Sequence, residues 1–149
     1  MSVHQAEISW KRAPHNLEPE TYSRNHRVTL NGGQVLDVSA SLDFKGEAHC
    51  ADPEQMLVSA LSSCHMLFFL AIADHRGYCV ESYEDDPKGH LEKLEDGGMA
   101  VTRIELSPKV IFSGEKQPDA ATIDRIHHMA HKNCFIRNSL IASVEITPR

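Results

Sequence analysis

The stretch Asp52-Pro53-Glu54-Gln55-Met56-Leu57-Val58-Ser59-Ala60-Leu61-Ser62-Ser63-Cys64-His65-Met66-Leu67-Phe68-Phe69-Leu70 decides the fold. It opens as a helix should. Asp accepts hydrogen bonds from orphan amides, Pro fits the first helical position, and Glu or Gln can reach back to the cap. From Met56 to Ala73 almost every position is apolar or small on all faces, so the helix must be buried by its own sheet or by a partner chain. Gly77 stops it. A membrane span competes with this reading, but Ser59, Ser62, Ser63 and His65 interrupt the run, and Glu54 and Asp74 bracket it closely. Cys64 sits in its middle, either as a small hydrophobe or as a reactive thiol kept in a dry pocket.

Strand patterns lie on both sides of this helix. A short first strand, Val3 to Lys11, leads into the proline-bounded connection 13–20. Arg27-Val-Thr-Leu and Val35-Leu-Asp-Val-Ser-Ala flank Asn31-Gly-Gly, a hairpin turn, because Asn and Gly tolerate positive φ. An irregular loop runs from Ser41 to Ala51. After the helix, Cys79 to Lys93 and Met99 to Phe112 alternate with a period near two across Glu95-Asp-Gly-Gly, which predicts one long hairpin with Ile104 and Leu106 facing the core. Asp119 to Lys132 has helical spacing, with Ile123, Ile126, Met129 and Ala130 on its apolar face, and Leu140 to Ile146 reads as a closing strand. The order predicts an α+β fold with antiparallel sheets packed around a long buried central helix.

With 149 residues the chain is read as a single domain, 1–149, long enough to bury a core. A formal charge of −6 without a basic stripe argues against nucleic acid as a partner. The first residues, Met1-Ser-Val-His-Gln-Ala-Glu-Ile-Ser-Trp-Lys-Arg, lack the apolar run of a secretory signal, so a cytoplasmic location is expected. There the four cysteines are reduced at rest, which gives weight to reactive or metal-binding roles over structural disulfides. Cys50 and Cys79, in a loop and at a strand start, carry little functional signal.

Cys134, in His131-Lys-Asn-Cys-Phe, suggests two chemistries. His127, His131 and Cys134 fall at i, i+4 and i+7, which would line them on one helical face if the helix continues that far. Imidazoles and a thiolate are zinc ligands, and His65 or Cys64 could complete a set. The plainer alternative leaves His127 and His128 on a solvated face, with a terminal His complementing the helix dipole. No CxxC or HExxH motif supports the metal reading.

The quoted stretch and the Cys134 segment together resemble the OsmC/Ohr family of thiol-dependent peroxide reductases. In that pattern a Pro-Glu pair precedes the reactive cysteine by ten residues, as Glu54 precedes Cys64. A late His-then-Cys element matches Ala130-His-Lys-Asn-Cys-Phe-Ile-Arg-Asn-Ser, and Tyr22-Ser-Arg-Asn-His resembles the family's arginine-bearing segment. The resemblance implies an intertwined homodimer in which Cys64 attacks the peroxide and Cys134 resolves the product. It further implies that Arg24, with Arg27 as a rival, supplies a guanidinium, and that Glu54 belongs to the site. Organic hydroperoxides and an external dithiol are the expected partners, with no cofactor, metal, nucleic acid or membrane. Phe135 stands where a proline often follows the second cysteine, and Arg137 is a bulky cation at a usually small position. A redox-sensing or non-catalytic ligand-binding protein on the same fold is the alternative reading, and a His/Cys zinc protein a third.

Overall fold

In the computed structural model, which describes residues 1–149, the chain forms two compact units, Met1–Met56 and Leu57–Arg149. The first holds a three-stranded antiparallel sheet, β1 (Glu7–Ser9), β2 (His26–Thr29) and β3 (Val35–Val38), in that order. The first strand is shorter than its sequence pattern, because only Glu7–Ser9 find partners on the four residues of β2. The β2–β3 hairpin turns through Asn31–Gly33 as expected, with Gly32 and Gly33 at φ 72° and 74°. In the following loop Gly46 passes so close to the Ala40 carbonyl that a Cβ would sit 1.5 Å from its oxygen, so only glycine fits.

The long helix runs as α1 over Pro53–His75. Asp52 caps it by accepting from the Gln55 N–H at 2.7 Å, and the Gln55 side chain accepts from the Asp52 N–H at 3.1 Å. That reciprocal pair satisfies two orphan donors and fixes where the helix begins. Its buried residues are Val58, Leu61, Ser62, His65, Phe69 and Ala73, a single stripe at helical spacing. Within the single chain the burial is confined to that stripe, and Ala60, Ser63, Leu67 and Ala71 stay exposed on another. By length and composition α1 is also the one helix able to cross a membrane, a test that the core helix of a soluble protein passes as well.

The long hairpin read from the sequence is broken in two. Strands β4 (Cys79–Glu84) and β7 (Lys109–Ser113) pair as a separate two-stranded sheet. Strands β5 (Lys88–Lys93) and β6 (Met99–Leu106) form the hairpin, turning through Gly97 at φ 90°. The closing strand β8 (Ser143–Ile146) joins β6 in parallel, the one departure from antiparallel pairing among the named strands. Asp85 accounts for the break. Its carboxylate accepts from the Ser107 N–H at 2.7 Å and from the Ser62 hydroxyl at 2.5 Å, while Pro87 and Pro108 withhold ladder donors.

The two sheets of the second unit underlie different lengths of α1. Val58 and Leu61 pack with Ile104 and Leu106 of β6, and β5 approaches so closely that a Cβ on Gly89 would lie 2.5 Å from Val58. Farther along, Phe69 and Ala73 pack with Ile126 and Ala130 of α2 (Ala120–Asn133), covered by Val80, Val110 and Phe112 of the two-stranded sheet. Asp119 caps α2 through the Thr122 N–H at 2.8 Å. Its buried face differs from the expected one. Thr122, Ile126, His127 and Ala130 point inward, whereas Ile123 and Met129 are only half-buried.

Candidate active site

The end of α2 creates the site. Its helical geometry stops at Asn133, and Cys134 adopts φ −63°, ψ 115° before the short α3 (Phe135–Asn138). Because Cys134 lies off the helix, His127, His131 and Cys134 do not share one helical face. No three His, Cys, Asp or Glu side chains form a group suited to a metal ion. The bend instead turns Cys134 into the core beside Val58, Leu61, Ile104 and Leu106, where Cys64 packs against the same cluster and its thiol interacts with that of Cys134.

The two thiols are adjacent and free, but their surroundings differ. Cys134 is fully buried, and its Sγ accepts from the Arg137 N–H at 3.4 Å. Burial pushes its pKa up to about 11, and the neighbouring Cys64 thiol adds to the rise, while the Arg137 N–H partly opposes it. At neutral pH Cys134 therefore keeps its proton and can share it with Cys64. Cys64 is half-buried and lines an open, apolar groove of about 410 Å³ with Ala60, Ser63, Leu67, Phe68, Ala71, Phe135 and Ile136. A solute can reach Cys64 through this groove, and Cys134 lies behind it.

Phe135, the residue that departs from the family pattern, forms one lip of the groove. Its ring meets Phe68 edge-on at 5.0 Å and is 71% exposed. The other departure, Arg137, reaches outward to the Asn138 side chain at 3.3 Å, so only its backbone N–H bears on the thiols. Neither role could be read from the sequence, because both depend on the bend at Cys134.

Glu54 lies half-buried in the first turn of α1, and the cap bonds there belong to Asp52 and Gln55 rather than to it. Arg24 is engaged by its own segment. Its guanidinium lies 4.3 Å from the centre of the Tyr22 ring and donates to the Tyr22 carbonyl at 2.5 Å and the Thr21 hydroxyl at 3.5 Å. Arg27 faces Asp37 at 3.7 Å with both side chains more than 70% exposed. Cys50 is half-buried in its loop, and Cys79 is exposed at the start of β4, accepting from the Ser113 hydroxyl at 3.2 Å.

Sequence reasoning missed a histidine pair one residue from Cys64. His65 and His127 are both buried and stack with centroids 5.4 Å apart and planes 3° from parallel. His65 Nε2 and His127 Nδ1 share a hydrogen bond at 3.1 Å. The plain expectation that His127 is solvated is corrected, while His128 is exposed as expected. Burial lowers both pKa values to about 4, so both rings are neutral at pH 7.

Residues 45–149 match the family model described as OsmC-like protein. An OsmC-like protein of unknown function from Vibrio cholerae is 40% identical, with a TM-score of 0.93 and 100% of each chain covered. The organic hydroperoxide resistance protein OhrB of Bacillus subtilis shares the fold at 17% identity, with a TM-score of 0.69 over 97% of this chain and 98% of that one. The uncharacterized protein YmaD of Bacillus subtilis is 21% identical over 126 residues, 83% of each sequence.

Proposed function

The chain belongs to the OsmC-like family, and from that premise we propose that it is a thiol-dependent peroxide reductase acting on organic hydroperoxides through a two-cysteine cycle. One observation carries the reading. A reachable thiol, Cys64, opens on an apolar groove, and a buried protonated thiol, Cys134, stands directly behind it.

The Cys64 thiolate attacks the terminal oxygen of the hydroperoxide. An S–O bond forms as the O–O bond breaks, the alkoxide leaves and takes a proton to become the alcohol, and Cys64 becomes a sulfenic acid. The Cys134 sulfur then attacks the Cys64 sulfur. The S–S bond forms, the S–O bond breaks, and hydroxide leaves with the Cys134 proton as water. An external dithiol reopens the disulfide by exchange, restoring both thiols and becoming a disulfide itself. Arg24 serves as the guanidinium that favours the Cys64 thiolate and the developing charge on the peroxide oxygen, with Glu54 orienting it. The apolar groove favours an organic chain or ring over hydrogen peroxide.

In this reading a second copy of the chain packs along the exposed apolar stripe of α1 and forms the facing wall of the groove, so that Cys64 stays open to the substrate and Arg24 acts across the subunit boundary of a homodimer. The cycle also fits a reducing cytoplasm, where a dithiol donor is at hand.

Cumene hydroperoxide tests the cycle. The protein is expected to lose the Cys64 thiol rapidly and stoichiometrically, and Cys64→Ser to abolish peroxide consumption. Cys134→Ser should still react once but accumulate sulfenic and then sulfinic acid at Cys64, read by mass spectrometry. Full activity in Cys64→Ser would sink the mechanism, and slow oxidation without turnover would favour a redox sensor.

A further inference from the structure

We propose that Tyr22 is a positioning residue for Arg24, and that Trp10 holds Tyr22 in place, an inference that rests on the assignment of Arg24 above. The contacts form a chain of three side chains. The Trp10 and Tyr22 rings meet edge to face with centroids 6.0 Å apart, and the Arg24 guanidinium lies over the Tyr22 ring at 4.3 Å. The backbone locks each link. The Trp10 indole N–H donates to the Ser23 carbonyl at 2.9 Å, and the Ser23 N–H donates to the Ala13 carbonyl at 2.8 Å. The Asn25 N–H donates to the Ser23 hydroxyl at 3.2 Å, and the Arg24 carbonyl shares a hydrogen bond with His26 Nδ1 at 2.9 Å. The guanidinium itself takes the Tyr22 carbonyl and the Thr21 hydroxyl as further acceptors.

A free arginine side chain on a strand approach samples many rotamers, and each order of magnitude of disorder is lost from the rate it can promote. An aromatic face attracts a guanidinium and fixes its plane, and the carbonyl beneath it fixes its rotation. None of these hydrogen-bond acceptors is a carboxylate, although the Glu18 carboxylate lies near enough to feel the charge of Arg24. Lysine would be a poorer replacement, because its ammonium binds a ring as a point charge and lacks the planar fork that holds a guanidinium in one orientation.

The test is the rate of Cys64 oxidation by cumene hydroperoxide as a function of pH in a double-mutant cycle. Tyr22→Phe keeps the ring and should stay within about twofold of the unaltered protein. Tyr22→Leu should slow the reaction roughly tenfold, the scale of a lost cation–π contact. It should also move the midpoint of the pH–rate profile upward, in the same direction as Arg24→Ala. In the Arg24→Ala background, Tyr22→Leu should add nothing. Equal slowing by Tyr22→Leu with and without Arg24, or an unchanged rate and midpoint in Tyr22→Leu, would overturn the positioning role while leaving the peroxidase reading intact. Absence of any reaction at Cys64 in the unaltered protein would remove both.

Discussion

Asymmetry between two adjacent thiols is the residue-scale basis of the proposed chemistry. Cys134 is sealed and protonated, and only Cys64 opens on the groove, so their roles are not interchangeable. The motif-like setting Tyr22-Ser-Arg24-Asn-His favoured Arg24 over Arg27, and the surroundings separate them further. Arg24 is held by an aromatic ring and a carbonyl, whereas Arg27 is a solvent-exposed partner of Asp37, an arrangement worth little energy. Arg24→Ala is expected to slow Cys64 oxidation about 100-fold, on the scale of losing one donor to a developing oxyanion, and Arg27→Ala by less than about twofold. Stopped-flow loss of the thiol measures both, and the reverse ranking would reassign the arginine. The two cysteines and Arg24 are singled out in the sequence by the resemblance of the motifs around them to the OsmC/Ohr pattern. The hold of Tyr22 on Arg24 is not legible there, since a tyrosine two residues away has many ordinary uses.

Among the elements, α1 and α2 are joined by a buried pair of imidazoles. Both have folded pKa values near 4, below the ordinary value of 6.5, because burial disfavours the cation. The unfolded chain therefore binds more protons between those pH values. The contribution is fully present above pH 6.5 and is lost as pH falls toward 4. At His127 burial outweighs Asp124 and Asp85, which favour the charged form, and at His65 the neighbouring His127 and His131 act in the same direction as burial. At pH 4.5 each imidazole should cost roughly 2 to 3 kcal/mol relative to pH 7 if it titrates independently. Urea unfolding at the two pH values checks this. His127→Phe should flatten the difference, and parallel curves for the variant and the unaltered protein would show that the pair is not responsible. The alternation in the strands was legible, but the break at Asp85 was not. Its cause is a hydrogen bond to Ser107 and another to Ser62, residues far from it in sequence.

For the whole molecule, the exposed stripe Ala60, Ser63, Leu67 and Ala71 is continuous with the groove at Cys64, and exposed apolar surface of this kind marks an interaction site. In the proposed homodimer a charge there cannot be buried without cost. Leu67, 60% exposed in the single chain, is the natural probe. Sedimentation should give a dimer for the unaltered protein and a shift to monomer for Leu67→Glu, and a monomer in both would remove the dimer from the proposal. The sequence by itself determined the helix start at Asp52, the glycine turns, the α+β order and the family, because caps, positive φ and hydrophobic period are local properties. Only the tertiary structure decided which face of α1 is covered, where the long hairpin divides, that Cys134 turns inward to meet Cys64, and that His65 stacks on His127. Each of those depends on contacts between residues distant in the chain, whose energies no local pattern records.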